Sequence, residues 1–220
     1  MIITGMHRSG TSLTTAALGA LGVALGDRLL AGDRHNAKGY FEDLDFLAFQ
    51  RQILQEACTP QEPGWPDWGW TEGEQLDRSR WEDPEIIAEA QAIVARRPSQ
   101  DLWGWKDPRT TLMLDFWAAQ LPEAAFLLVY RLPWDVADSV LRIGDPTFTQ
   151  HPDYGLRAWA FYNQHLLEFY EAHRDRCILL NVEAFIEDPL ALGSLLASRF
   201  DLTGTVIDAC LLYTSPSPLD

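Results

Sequence analysis

Residues 5–12 read Gly-Met-His-Arg-Ser-Gly-Thr-Ser. They depart at one position from the phosphate-binding pattern G-x-x-x-x-G-K-[ST], because Thr11 stands where the lysine belongs. A loop between a buried strand and a helix offers successive backbone N–H groups to an anion, and the helix dipole adds positive potential. In nucleotide kinases and hydrolases the lysine reaches the terminal phosphates, a Ser or Thr holds Mg²⁺, and another strand ends in an aspartate for that metal. Here Arg8 supplies the cation within the loop, and the apolar run "FLLVY" ends in Arg131 rather than an acid. The expected site therefore takes a phosphate without a metal, with His7, Arg8, Ser9, Gly10, Thr11 and Ser12 forming the loop.

Of the 17 lysines and arginines only Lys38 and Lys106 are lysines, and both fall in stretches with functional character. Lys106 ends the apolar segment "LWGWK", and open α/β sheets gather ligands at the carboxyl ends of their strands. Its alternative role is a surface ion pair with Asp107. Lys38 precedes "GYFED" in a polar stretch, where a solvated loop lysine is the other reading.

These groups need elements to position them. Ile2–Thr4 reads as a short buried strand, and Leu13, Ala17 and Leu21 recur at helical spacing after the loop. Leu44, Leu47, Ile53 and Leu54 predict a helix to about Ala57. The Pro-, Gly- and Trp-rich stretch over 63–81 fits neither period and is expected to be a long loop or lid. "DPEIIAEAQAIVARR" predicts a helix with acids in its first turn and arginines in its last. A strand ending near Lys106, a break at Pro108 and a helix to about Leu121 follow. "AAFLLVYR" predicts a buried strand, "PWDVADSVLRI" a helix with proline in its first turn, and about 153–174 a long helix. A strand at "CILLNV" and a helix after "EDP" complete the series. Strands alternating with helices predict a three-layer α/β sandwich around a central parallel sheet, like that of P-loop NTPases.

Composition limits the partners. At 220 residues the chain suits one domain, expected over 1–206. A formal net charge of -15 disfavours nucleic acid and anionic membranes as partners. No apolar run is long enough for stable membrane insertion, and "MIITG" carries no secretory signal, so a cytoplasmic location is expected. Cys58, Cys177 and Cys210 are scattered without zinc-site spacing. Residues 207–220 form an irregular tail that reads either as foreign sequence or as a flexible natural end rich in Ser and Pro.

The chain resembles the sulfotransferases that use 3′-phosphoadenylyl sulfate (PAPS), over roughly residues 1–200. The resemblance lies in Arg8, Ser9, Gly10, Thr11 and Ser12, which match a 5′-phosphosulfate loop, and in "YRLPWDVADS", which supplies Arg131 and Ser139 as the family's pair on the 3′-phosphate. The two segments stand about 120 residues apart in the family's order. "WGWKDPRTTLML" and "NVEAFIEDPLAL" are similar to further family stretches, more loosely. Arginine in the loop is closer to the bacterial and protein-tyrosine branches. Leu13 stands where many cytosolic members carry an adenine-stacking tryptophan, and a late Arg-Lys-Gly segment is missing, so the adenine contacts stay unassigned.

The resemblance implies sulfuryl transfer from PAPS to a hydroxyl of a sugar, lipid or small alcohol, with PAP as product and no metal. Arg8 and Lys106 are the candidates to neutralise charge on the transferring group. Glu42, after the apolar pair Tyr40 and Phe41, is the candidate base, since partial burial raises a carboxylate's pKa. Asp43 and His7 remain rivals for that role. Trp65, Trp68, Trp70 and Trp81 offer aromatic faces to an acceptor, or form a satellite core under the loop. A nucleotide-dependent kinase and a nucleotide-binding fragment without turnover are the alternative readings.

Overall fold

Ile2 and Ile3 are adjacent and both fully buried, yet they belong to different cores. Successive strand side chains point to opposite faces of a sheet, so such a strand must be covered on both sides. Ile2 packs with Phe46, Trp105, Trp117 and Phe126, whereas Ile3 packs with Leu18, Leu127 and Ile178. The computed structural model describes residues 1–33, 39–58, 64–65, 68–97 and 102–200. Lys38, the side chain of Trp65 and the expected tail after Val206 lie outside the described residues.

Strand β1 (Ile2–Thr4) lies between β4 (Trp105–Lys106) and β5 (Phe126–Tyr130), with β6 (Cys177–Asn181) beyond β5. All three pairings are parallel, and the β5–β6 register runs from Phe126↔Cys177 to Tyr130↔Asn181. Helices α1 (Thr11–Ala20), α8 (Val182–Glu187) and α9 (Pro189–Phe200) contribute Leu18, Phe185 and Leu192 to one face. Helices α2 (Leu44–Ala57), α3 (Pro84–Ala95), α4 (Leu114–Gln120), α5 (Pro133–Ile143) and α7 (Tyr154–Ala172) cover the other. This is the expected three-layer α/β sandwich around a parallel sheet.

Local chemistry sets the helix boundaries. Asp43 and Asp83 are N-caps whose side chains accept the N–H two residues on, at Asp45 and Glu85. Proline opens α5, and Gly144 closes it with φ 75°, a left-handed turn that glycine adopts without strain. No helix among the described residues is long and apolar enough to cross a membrane.

The stretch over 63–81 differs from expectation. Strand β2 (Gly64–Trp65) pairs antiparallel with β3 (Trp70–Thr71), and a 3₁₀ turn spans Ser79–Glu82. Trp70 is 1% exposed and packs edge-on against Tyr154, so it is part of the core rather than an acceptor-facing wall. Trp68 and Trp81 flank the same core. The segment after Lys106 also differs, because Pro108–Met113 forms a 3₁₀ helix before α4 begins. Helices α6 (Pro146–Gln150) and α8 were not expected; the side chains of Asp145 and Asn181 cap turns too short to carry a periodic signal.

Candidate active site

The loop after β1 is tightly held. A Cβ at Gly5 would meet the Val129 carbonyl oxygen at 1.9 Å, and one at Gly10 would meet Val182 Cγ2 at 2.3 Å, where φ is 85° as well. Only glycine lets β5 and the start of α8 approach so closely. Arg8 adopts φ 69°, a conformation costly for a side chain of its size and common where a site needs unusual backbone geometry. Gly10 gives α1 no side-chain cap, and the first turn has no acid. Ser9 is fully buried, and its Oγ has no hydrogen-bond partner among the described residues. Buried polar atoms are ordinarily paired, so an unpaired hydroxyl beside an uncapped helix start suits an anion.

Lys106 reaches this loop from the tip of β4. It is 2% exposed, and its Nζ donates to Glu42 Oε1 (2.6 Å), the Tyr40 carbonyl (2.9 Å) and Ser12 Oγ (3.3 Å). All three ammonium hydrogens are thereby used. The surface pair with Asp107 is not formed; Asp107 instead accepts from the Arg109 backbone and guanidinium and from Gln50. Glu42 is 4% exposed, and its second oxygen, Oε2, has no partner among the described residues. Burial pushes the Glu42 pKa above its ordinary 4.5 while the Lys106 charge pulls it down, and the same burial lowers that of Lys106. Phe41, just before Glu42, has φ 63°, so the backbone turns sharply there as it does at Arg8.

The two rivals to Glu42 are differently situated. Asp43 caps α2 and is clamped by Arg97 at 2.7 Å on Oδ2 and 3.0 Å on Oδ1. Both of its oxygens are engaged in structural work. His7 stacks on Trp68 with ring centroids 4.1 Å apart, and its Nε2 is buried without a partner among the described residues. Burial first, then Arg109, Lys106 and Arg8, hold its pKa well below 6.5. A neutral ring among three cations resists taking a proton.

Arg8 turns from the loop towards α5, and its Nε donates to Ser139 Oγ at 2.9 Å. Arg131, at the tip of β5, pairs through Nε with Glu183 Oε1 at 2.9 Å. Its carbonyl accepts from Trp159 Nε1 at 2.9 Å, which fixes the strand end against α7.

Several participants escaped sequence reasoning. Buried Gln50 ties Asp107, Thr110 and Trp117 together, and Asp107 holds the 90%-buried Arg109 at 3.0 Å. Arg109 and Asp107 stand within the quoted stretch "WGWKDPRTTLML" and Glu183 within "NVEAFIEDPLAL", which were the available signals; Gln50 had none. Among the described residues no cluster of three or more His, Cys, Asp or Glu is arranged to hold a metal.

Comparison with known proteins agrees with this architecture. The chain aligns along nearly its whole length with the sulfotransferase domain from the curacin biosynthetic pathway (TM-score 0.58, 14% identity, 99% of this chain and 78% of that one). It aligns similarly with the sulfotransferase domain of the Synechococcus olefin synthase (TM-score 0.55, 19% identity, 99% and 78%). Sulfotransferase STF1 from Mycobacterium tuberculosis gives a TM-score of 0.54 at 15% identity, over 98% of this chain and 71% of that one. At such identities the likeness speaks to the fold. No curated protein sequence matches the chain. The profile described as the sulfotransferase family matches residues 1–203, and the chain belongs to that family.

Proposed function

We propose that the protein transfers a sulfuryl group from PAPS to a hydroxyl acceptor and releases PAP. The observation that carries this reading is the 2.9 Å contact between Arg8 and Ser139. It joins two segments that the family resemblance assigns to opposite ends of one nucleotide, the 5′-phosphosulfate and the 3′-phosphate. The unpaired Ser9 hydroxyl and the uncapped start of α1 support the loop, from His7 to Ser12, as the seat of the 5′ end. Arg131 supports the 3′ end, because its two terminal nitrogens make no hydrogen bond among the described residues and form a fork suited to phosphate.

In this reading the acceptor oxygen bonds to sulfur as the bond from sulfur to the 5′-phosphate oxygen breaks, and the acceptor's proton passes to Glu42. Glu42 Oε2 is available for that proton while Oε1 stays on Lys106. Lys106 keeps Glu42 ionised in a buried place and, with Arg8, offsets the charge that collects on the transferring group and the leaving phosphate. Trp68, stacked on His7 beside the loop, supports an acceptor with a flat apolar or sugar face. Sulfate transfer from radiolabelled PAPS to a panel of sugars, lipids and small alcohols, in chelator, tests the proposal. Labelled product that falls by roughly 10² or more with Glu42→Gln is expected; no transfer from PAPS, with phosphate transfer from labelled ATP once Mg²⁺ is added, would replace this reading with a kinase.

A further inference from the structure

Strands β5 and β6 pair in register to Tyr130↔Asn181, so the residues that follow them leave the sheet side by side. One is Arg131 and the other, one step further, is Glu183. Their contact is therefore built into the sheet, and both side chains keep access to solvent, 18% for Arg131 and 33% for Glu183. The pairing is incomplete on both sides. Arg131 uses only Nε, and Glu183 Oε2 is buried without a partner among the described residues. Arg8 stands close enough to Arg131 for the two charges to oppose each other, and Arg142 is itself paired with Asp138, so Glu183 is the carboxylate that meets Arg131.

A carboxylate with one bare oxygen is a weaker partner for a guanidinium than a phosphate with three oxygens and more charge. We propose that Glu183 is a resident anion that holds Arg131 while nucleotide is absent, and that a 3′-phosphate binds by exchanging places with it. The inference rests on the PAPS reading above and adds a specificity-determining residue to it. Glu183 keeps the empty site from presenting Arg131 unpaired, at the expense of nucleotide affinity. A nucleotide with a bare 3′-hydroxyl offers nothing to displace the carboxylate, so Glu183 weakens only ligands that carry the 3′-phosphate.

The test is calorimetric titration of PAP and AMP, without metal, into the parent protein, Glu183→Gln and Glu183→Asp, each first checked by thermal unfolding. Glu183→Gln keeps the shape and removes the charge. It is expected to tighten PAP by about threefold to tenfold, between the effects of an exposed and a desolvated charge pair, and to leave AMP within about twofold. Glu183→Asp, which keeps the charge on a shorter arm, is expected to lie between Glu183→Gln and the parent. A PAP-to-AMP preference that is unchanged or smaller in Glu183→Gln overturns the exchange and makes Glu183 a support for Arg131. A parent protein that binds PAP no better than AMP overturns the PAPS reading itself.

Discussion

Lys106 Nζ lies 2.6 Å from Glu42 Oε1, and both side chains are at least 95% buried. Burying two opposite charges costs several kcal/mol per ion before their attraction offsets it. A pair kept at such cost suits a task beyond holding the fold, and its position beside the loop hydroxyl of Ser12 suits chemistry on an anion.

Removing Lys106 alone strands the Glu42 carboxylate. Lys106→Met is expected to destabilise the protein by about 3–5 kcal/mol, the usual cost of leaving an uncompensated buried charge. Adding Glu42→Gln is expected to restore most of that loss. Urea unfolding of the two single variants and the double variant checks this; a Lys106→Met loss under about 1 kcal/mol would mean that water reaches the pair freely.

Glu42→Gln preserves shape and removes the proposed base. PAP is expected to bind as in the parent while transfer falls by roughly 10² to 10⁴, the usual range for a general base. Because burial raises the Glu42 pKa, parental turnover is expected to rise with pH through a midpoint above 4.5, and the residual activity of Glu42→Gln to lose that limb. A variant keeping more than about a tenth of parental turnover would return the role to Asp43 or His7.

The two arginines are expected to separate in kinetics. Arg131→Ala should weaken PAP by about 2–5 kcal/mol and leave AMP unchanged, with Ser139→Ala costing less. Arg8→Ala should lower turnover more than PAP affinity, since its charge acts on the transferring group. Calorimetry and steady-state rates on the same preparations distinguish them; equal losses in binding and turnover for Arg8→Ala would make it a binding group only.

His7 imposes a pH dependence on stability. Its folded pKa is depressed by burial, so below 6.5 the unfolded chain takes a proton that the native ring refuses. Stability is therefore expected to fall as pH drops from 6.5 towards the folded pKa, and to be unaffected by this group above 6.5. Unfolding free energies of the parent and His7→Gln across that window check it. The variant should lose this part of the slope, and an unchanged slope would assign it elsewhere.

The sequence disclosed what repeats or what punctuates. Helix α5 stands where proline and a helical period mark it, and β5 where five apolar residues run together. Strands β2 and β3 are two residues long, too short for any period to register. Trp70 could be read either as an acceptor-facing aromatic or as satellite core, because type and local composition do not reveal burial. Both Glu42 and Lys106 were legible as chemical residues, but not as partners, since 64 positions separate them and only the parallel crossover closes that gap. Glu183 was invisible as a partner for a similar reason, because its contact with Arg131 follows from the β5–β6 register.

Metal-free calorimetry of PAP, ATP and AMP against the parent protein tests the PAPS reading most directly, because it needs no acceptor. PAP alone carries the 3′-phosphate that Arg131 and Ser139 would meet, so it is expected to bind more tightly than either competitor in the presence of chelator. ATP binding that equals or exceeds that of PAP and depends on Mg²⁺ would contradict it.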